Sequence, residues 1–177
     1  MKKRLLFSLL AVLVSIIRYI SKNPSSCCRL DASLVEPGDL LFSPIGKKES
    51  FYIGHVGIVT GDNHVVHSVP AGIIRDPLPY YLQKFRGIER YKPKQKDAGL
   101  RAAQYIDTHY PNHTPADYTI MTTLGSRSHQ QYCSKIVWQA YYYGAGINLG
   151  RQPKLAVAVH PQVLKDSRYF LRMERLT

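Results

Sequence analysis

The chain has 177 residues, of which 45% are apolar and 20% charged, and its formal net charge is +12. A chain of this size usually forms one domain with a sizeable core, and this composition excludes a disordered protein. The basic residues are scattered and do not alternate with stacking aromatic residues. This argues against nucleic-acid binding and suits attraction to an anionic surface such as a cell envelope.

The first residues have the features of an export segment. Three basic residues at positions 2–4 precede the uncharged run 5–17, and this order is typical of a secretory signal. A membrane-spanning helix needs about 20 apolar residues, which this run reaches only if Arg18 lies within it. Residues 1–28 are therefore predicted to be a signal peptide or an uncleaved membrane anchor, with an ordinary buried helix as the alternative. The protein is expected to be exported, either secreted or anchored on the outer side of the cytoplasmic membrane.

The three cysteines are unevenly placed. Cys27 and Cys28 are adjacent in or just after the export segment, and Cys133 is alone in the body of the chain. Neighbouring cysteines rarely bridge each other because the geometry is strained, and there is no C-x-x-C pair typical of a metal site. Cys133 is therefore either a buried apolar residue or a reactive thiol.

Residues 29–177 are predicted to form a single domain. Strand-like runs come first and helices follow, without β-α-β alternation, which favours an α+β fold. The predicted strands are 40–43, 51–60, 64–69, 73–76, 87–91 and 169–172. The predicted helices are 97–110, which begins at a capping Asp97, and 132–143, which ends at Gly144. Residues 44–50 and 111–131 are predicted to be loops.

Two histidines flank a predicted turn at residues 61–63. If this turn is a three-residue loop, Thr60 pairs with His64, and His55 and His67 point to the same face of the hairpin as diagonal neighbours. Such positions lie about 7–8 Å apart at the backbone, within reach of aromatic side chains. A two-residue loop would put them on opposite faces. With the odd loop length, His67 can orient His55 as a general base.

Two other interpretations of these histidines stay open. A strand histidine is often only a surface residue or a satisfied core residue. The second interpretation is a metal site, because His55, His64 and His67 are close together. Counting residues outward from the loop is expected to put His64 on the same face as the other two. No Cys, Asp or Glu completes a set at ligand spacing, which weakens the metal interpretation.

Cys133 lies where a polar loop becomes the second predicted helix. A helix N-terminus has unpaired N–H groups and a partial positive charge. These features predict a lowered thiol pKa and a place for the oxyanion of a tetrahedral intermediate. A buried structural cysteine is the alternative for Cys133 taken alone, and its occurrence together with the two histidines favours catalysis.

Three segments resemble the NlpC/P60 superfamily of papain-like cysteine hydrolases. They are residues 37–42 (PGDLLF), 55–68 and 132–137 (YCSKIV), and the resemblance extends over about 36–165. The cysteine segment follows the histidine hairpin, the reverse of the commoner order, and this is similar to the circularly permuted YiiX/YebB-like branch. The resemblance implies a papain-like α+β fold, with an antiparallel sheet packed on helices and the nucleophile at a helix N-terminus.

The resemblance also implies roles for individual residues. It implies Cys133 as nucleophile, His55 as base and His67 as the third polar residue, a position that permuted relatives often fill with a carboxylate. Tyr118 and Tyr132 are both possible matches for the tyrosine that often lines the oxyanion site. The PGD segment is expected to open the first strand.

The predicted function is hydrolysis of an amide bond by an exported thiol hydrolase with a Cys-His-His site, and the resemblance implies cell-wall peptides as substrates. This chemistry needs no metal or organic cofactor. A lipid acyltransferase or thioesterase with the same dyad, acting on a lipid-linked acyl substrate, is the second hypothesis. A non-catalytic envelope-binding domain is the third, and a Cys133 that resists iodoacetamide at neutral pH would favour it. Membrane contact is expected only through the N-terminal segment.

Overall fold

The computed structural model describes residues 34–43, 54–85 and 87–175. The strands are β1 (Leu40–Ser43), β2 (His55–Val59), β3 (His64–Val69), β4 (Gly72–Pro77), β5 (Glu89–Pro93), β6 (Asp117–Tyr118), β7 (Gln130–Gln131) and β8 (Phe170–Arg175). Six of them form a sheet in the order β4-β3-β2-β1-β5-β8, and every pair in it is antiparallel. The short strands β6 and β7 pair in parallel.

Three helices pack on the sheet. They are α1 (Leu78–Lys84), α2 (Lys96–His109) and α3 (Cys133–Gln139), and α3 continues as a π-helical turn over Ala140–Gly144. Short 3₁₀ turns follow at Leu149–Arg151 and Pro161–Leu164. Across the described ranges, no helix is both long and apolar enough to cross a bilayer.

The sheet is buried on both faces because successive side chains of a strand point to opposite sides. On one face, side chains from the central strands form a core with α2 and α3, and this core includes Phe42, Val56, Ile58, Ile106, Ile136 and Trp138. On the other face a smaller core forms against α1 and includes Leu41, Val59, Val65, Leu78, Tyr81 and Phe85. The candidate active site lies at the start of β2, where these two cores meet.

The PGD segment anchors the start of β1. Gly38 has a φ of +89°, and a Cβ there would lie 2.3 Å from the Cα of Gly99 in α2, so a side chain does not fit. The Gly38 N–H donates to the carbonyl of Val59 at 2.8 Å, and the Asp39 carboxylate pairs with Arg90 at 3.0 Å. These contacts hold β1 beside β2 and α2.

The α+β class and the antiparallel sheet are confirmed, while the helices differ from the prediction in three respects. Helix α2 begins at Lys96, and Asp97 lies in its first turn and does not cap it. Helix α1 was not predicted, because Pro79 interrupts the apolar pattern; in the structure it occupies the first turn, where its missing N–H is not needed. The helix predicted over 132–143 is α-helical only as far as Gln139. The predicted export segment 1–28, with Cys27 and Cys28, and the predicted loop 44–50 lie outside the described residues.

Candidate active site

The turn between β2 and β3 has the length on which the histidine geometry depends. Ile58 pairs with Val66 and Val59 with Val65, and the N–H of Thr60 donates to the carbonyl of His64 at 2.9 Å. Residues 61–63 therefore form a three-residue loop. The prediction of an odd loop length is confirmed.

The loop length brings the two predicted histidines together. Nε2 of His55 and Nδ1 of His67 are 2.9 Å apart, and the two rings meet edge to face. His55 stacks on Phe85, with ring centroids 5.1 Å apart, and His67 packs edge-on against Tyr81. Tyr81 of helix α1, which was not predicted, and Phe85, the residue after this helix, thus pack against the two imidazoles. Both histidines are buried.

Asp76 of β4 extends the histidine pair into a chain of three polar groups. Its Oδ2 lies 2.9 Å from Nε2 of His67 and 3.6 Å from Nζ of Lys84. Burial raises the pKa of Asp76, but the hydrogen bond from His67 and the charges of His67 and Lys84 outweigh it and leave the pKa below its usual value. Asp76 is therefore ionised at neutral pH.

From the sequence alone, Asp76 is only the last residue of a predicted strand. The signal was available in the next hairpin, where Val69 pairs with Gly72 and Val65 with Asp76. Counted in this register, Asp76 lies on the same face as His67 and diagonal to it, within reach of its ring. Asp76 thus places a carboxylate one hydrogen bond beyond His67.

The chain of hydrogen bonds sets the tautomer of each ring. An ionised carboxylate only accepts hydrogen bonds, so Nε2 of a neutral His67 donates to Asp76 and its Nδ1 accepts from Nε2–H of His55. The lone pair of His55 is then on Nδ1. Burial, followed by the charges of His67 and Lys84, lowers the pKa of His55 well below 6.5. His55 is therefore a neutral ring with a free basic nitrogen at neutral pH.

Cys133 is the first residue of α3 and is only 4% exposed. Burial raises the pKa of its thiol above the usual value, and hydrogen bonds from Ser134, from the N–H of Val56 and from Tyr118 reduce the increase without cancelling it. The prediction that the helix N-terminus lowers this pKa is wrong, because loss of solvation outweighs the N–H groups. The resting pair is a thiol and a neutral imidazole.

Cys133 and His55 line one cavity of about 460 Å³. They enter it from different layers, since Cys133 belongs to the core on the α3 side and His55 stacks on Phe85 on the α1 side. No hydrogen bond joins the sulfur to the His55 ring within the described parts of the chain. The other lining residues are mostly apolar: Gly54, Ser68, Val69, Pro70, Tyr118, Thr119, Ile120, Tyr132, Ser134, Ala158, Val159, His160 and Pro161.

The expectation that His64 shares a face with the other two histidines is wrong. Side chains alternate along β3, so His64 points away from His67, and its Nδ1 contacts the Asp62 carboxylate at 3.1 Å. Among the residues that the structure describes, no group of three or more His, Cys, Asp or Glu side chains is arranged to hold a metal ion.

The two tyrosines considered for the oxyanion site differ in their hydrogen bonds. Tyr118 is close enough to Cys133 for hydrogen bonding to the sulfur to influence the pKa of both groups, whereas the hydroxyl of Tyr132 accepts the N–H of Val159 at 3.3 Å. Burial raises the pKa of both phenols, so both are hydrogen-bond donors at neutral pH. Tyr118 therefore presents its donor where a reacting carbonyl would meet the thiol.

The raised thiol pKa makes a prediction about chemical reactivity. We expect Cys133 to react slowly with iodoacetamide at neutral pH, and the rate to rise as the pH passes above 9, because the thiolate is the reacting form. Mass spectrometry of the labelled peptides separates Cys133 from the other two cysteines. A rate that is already maximal at pH 7 would contradict the burial argument. Slow labelling at neutral pH is thus expected of an enzyme too and does not by itself favour a binding domain.

Comparisons with known proteins show a match to one protein family and similarity to an individual relative. Residues 2–173 match a family described as "Lipoprotein N-acylation protein LnsA-like". An uncharacterized 30.3 kDa protein of Bacillus thuringiensis is 32% identical in an alignment 107 residues long, and the alignment covers 53% of this chain and 39% of that protein. The chain thus spans well under half of that relative's length.

The fold is similar to the crystal structure of the metalloprotein YiiX from Escherichia coli O157:H7. The TM-score is 0.58 at 16% sequence identity, and the alignment covers 79% of this chain and 97% of YiiX. At this identity the likeness concerns the fold alone. The prediction of a papain-like α+β fold is confirmed.

Proposed function

Given that the chain belongs to the LnsA-like family of lipoprotein N-acylation proteins, we propose that it transfers an acyl chain from a lipid ester to the amino group of a lipoprotein through a thioester on Cys133. The observation that carries this proposal is the cavity shared by Cys133 and His55, because its other walls are mostly apolar. Its volume of about 460 Å³ is in the range of about 300–1,000 Å³ that small-molecule sites occupy. Apolar walls suit an acyl chain better than a peptide.

The first half-reaction forms the thioester. The sulfur of Cys133 attacks the ester carbonyl while Nδ1 of His55 takes the thiol proton, and the carbonyl oxygen becomes an oxyanion. The hydroxyl of Tyr118 donates a hydrogen bond to that oxyanion. When the C–O bond breaks, His55 returns the proton to the leaving alkoxide, which departs as the alcohol of the lysolipid.

The second half-reaction uses the same groups in reverse. The amino group of the lipoprotein attacks the thioester carbonyl and loses a proton to His55, and the C–S bond breaks to give the amide. His55 then returns the proton to the sulfur, which restores the thiol. A neutral His55 is needed at the start of both steps, and its lowered pKa keeps it in that form.

The experiment follows the acyl chain. The full-length protein is mixed with a phospholipid that carries a labelled acyl chain and with a lipopeptide that has a free α-amino group. We expect the label on that amino group, and no transfer to the same lipopeptide with an acetylated amino group. Loss of the label as free fatty acid in both samples, without an N-acylated product, would contradict acyl transfer.

Hydrolysis of an amide bond, as in cell-wall peptides, is the second candidate function. The observation that favours it is that Tyr118 and Ile120 of the cavity wall are each 39% exposed, so water reaches the cavity and can resolve an acyl-enzyme in place of an amine. Both functions belong in the cell envelope, which the predicted export segment would let the protein reach. Release of amines from cell-wall peptides, without transfer from lipids, would favour this second function.

We expect Asp76→Asn to lower kcat by about ten- to a hundredfold, less than the roughly 10²–10⁴ that a general base supplies, and to leave KM nearly unchanged. An amide can donate to Nε2 of His67, which reverses the tautomers and places the proton of His55 on Nδ1. The measurement is kcat and KM across a pH series, with thermal unfolding as the test of folding. Asp62→Asn is the matched control, since Asp62 contacts His64 outside the cavity. Equal effects of the two substitutions would contradict a positioning role for Asp76.

A further inference from the structure

One side of the cavity mouth is bordered by exposed apolar side chains. We call them the apolar rim: Tyr118, Ile120, Met121, Leu155 and Val157. Met121 is 73% exposed and Leu155 82%, and such high exposure is unusual for large apolar side chains. Five of the eleven large apolar side chains that the described residues expose belong to this rim. They therefore form a patch and are not scattered singly.

The rim is continuous with the wall of the cavity. Its two segments run side by side, because the N–H of Ala158 donates to the carbonyl of Ile120 at 2.8 Å and the N–H of Leu124 to that of Ala156 at 2.9 Å. Ile120 and Ala158 also line the cavity that contains Cys133. An apolar path thus leads from the exposed rim to the thiol.

The charge around the rim is mostly basic. Asp117, next to Tyr118 of the rim, is exposed, and its carboxylate lies 2.9 Å from Nε2 of His129. Residues 118–165 contain no Asp or Glu, and they contain Arg127, Arg151 and Lys154, all three exposed. Lys154 is next to Leu155 of the rim, and its Nζ lies 5.3 Å from the ring centroid of Tyr142. Exposed apolar side chains flanked by basic ones are the pattern of a surface that seats on anionic lipid.

We infer that the apolar rim docks on an anionic phospholipid bilayer, so that an acyl ester passes from the membrane surface along the rim to Cys133. The apolar side chains enter the boundary between headgroups and acyl chains, while Arg127, Arg151 and Lys154 face the lipid phosphates. The choice of lipid as the partner rests on the proposed acyl transfer. Docking through the rim gives the folded domain a membrane contact of its own, separate from the one expected of the N-terminal segment.

The test places a fluorescent reporter on the rim of the full-length protein. In Met121→Trp and Leu155→Trp, the added tryptophan is exposed, whereas the native Trp138 is fully buried and gives a constant background. Leu171→Trp is the matched control, because Leu171 is 50% exposed and lies on β8, the edge strand at the other end of the sheet from β4. The control also corrects for any tethering by the N-terminal segment.

With vesicles of phosphatidylglycerol that carry brominated acyl chains, we expect about twofold quenching at positions 121 and 155 and little at position 171. Raised salt or vesicles of phosphatidylcholine should weaken the quenching. Equal quenching at all three positions, or none at the rim, would overturn the inference. Blue-shifted emission at position 121 before vesicles are added would do so too, since another part of the chain or a second copy would then cover the rim.

Docking and chemistry are separated by a second measurement on the same variants. A soluble short-chain ester reaches Cys133 without a membrane, so acylation of Cys133 by it tests the chemistry alone. Acylation without quenching would refute docking and leave the proposed chemistry in place. Quenching without acylation would support docking and count against the thioester.

Discussion

Replacement of Cys133 by alanine is expected to lower the rate of acyl transfer by about 10⁴-fold or more, because the substitution removes the atom that forms the acyl-enzyme. The initial rate with the labelled phospholipid and the amino lipopeptide measures the effect. Cys133 is buried in the core that contains Val56 and Ile136, so thermal unfolding must show that the variant is folded before the rates are compared.

The control for Cys133→Ala uses the other thiols of the chain. The double variant Cys27→Ser and Cys28→Ser removes both of them, and we expect it to retain transfer, since neither thiol takes part in the proposed chemistry. Transfer that survives Cys133→Ala in a folded protein would make Cys133 a structural core residue. Transfer that disappears in the double variant would place the reacting thiol elsewhere.

Replacement of His55 by alanine is expected to reduce kcat by about 10²–10⁴-fold, the contribution typical of a general base. His55 donates from Nε2 to His67, and His67 donates to Asp76, so Nδ1 of His55 is the nitrogen of this ring that remains available as a base. Added imidazole should restore part of the rate, because the substitution leaves a ring-sized space against Phe85. The measurement is the rate of transfer with and without imidazole.

His64→Ala is the matched control for this substitution, since it removes the same ring from the same hairpin. His64 contacts Asp62 and does not line the cavity, and we expect its removal to change the rate by less than about threefold. A similar loss in both variants, or a loss at His55 that imidazole does not relieve, would contradict the role of His55 as base.

The acidic limb of the pH profile follows from the lowered pKa of His55. A base whose pKa lies well below 6.5 stays neutral as the pH falls through 6.5, so kcat/KM should stay constant down to that pH and decline only below it. A decline centred at or above pH 6.5 would contradict the burial of His55 beside His67 and Lys84.

The hairpin was predictable because its geometry depends on counting alone. Once the turn at 61–63 has three residues, the period of two along a strand puts His55 and His67 on one face. The same rule, applied consistently, excludes His64 and finds Asp76 in the next hairpin. The position of Asp76 and the orientation of His64 therefore both follow from the sequence pattern.

The remaining differences depend on tertiary packing. The pKa of Cys133 depends on how fully the sheet and α3 enclose the sulfur, and a helix N-terminus in the sequence does not reveal that enclosure. Helix α1 was missed because Pro79 masks its pattern, although it brings Tyr81 beneath the histidines. Tyr118 and Tyr132 differ through contacts between segments distant in sequence, such as the N–H of Val159 that the hydroxyl of Tyr132 accepts.

The most direct test of the thioester on Cys133 is the mass of the protein after exposure to the lipid ester with no amino acceptor present. We predict that the peptide containing Cys133 gains the mass of one acyl chain, that neutral hydroxylamine removes it, and that the amino lipopeptide discharges it while gaining the same mass. Acyl transfer that proceeds while Cys133 carries no acyl group at any time would contradict the account.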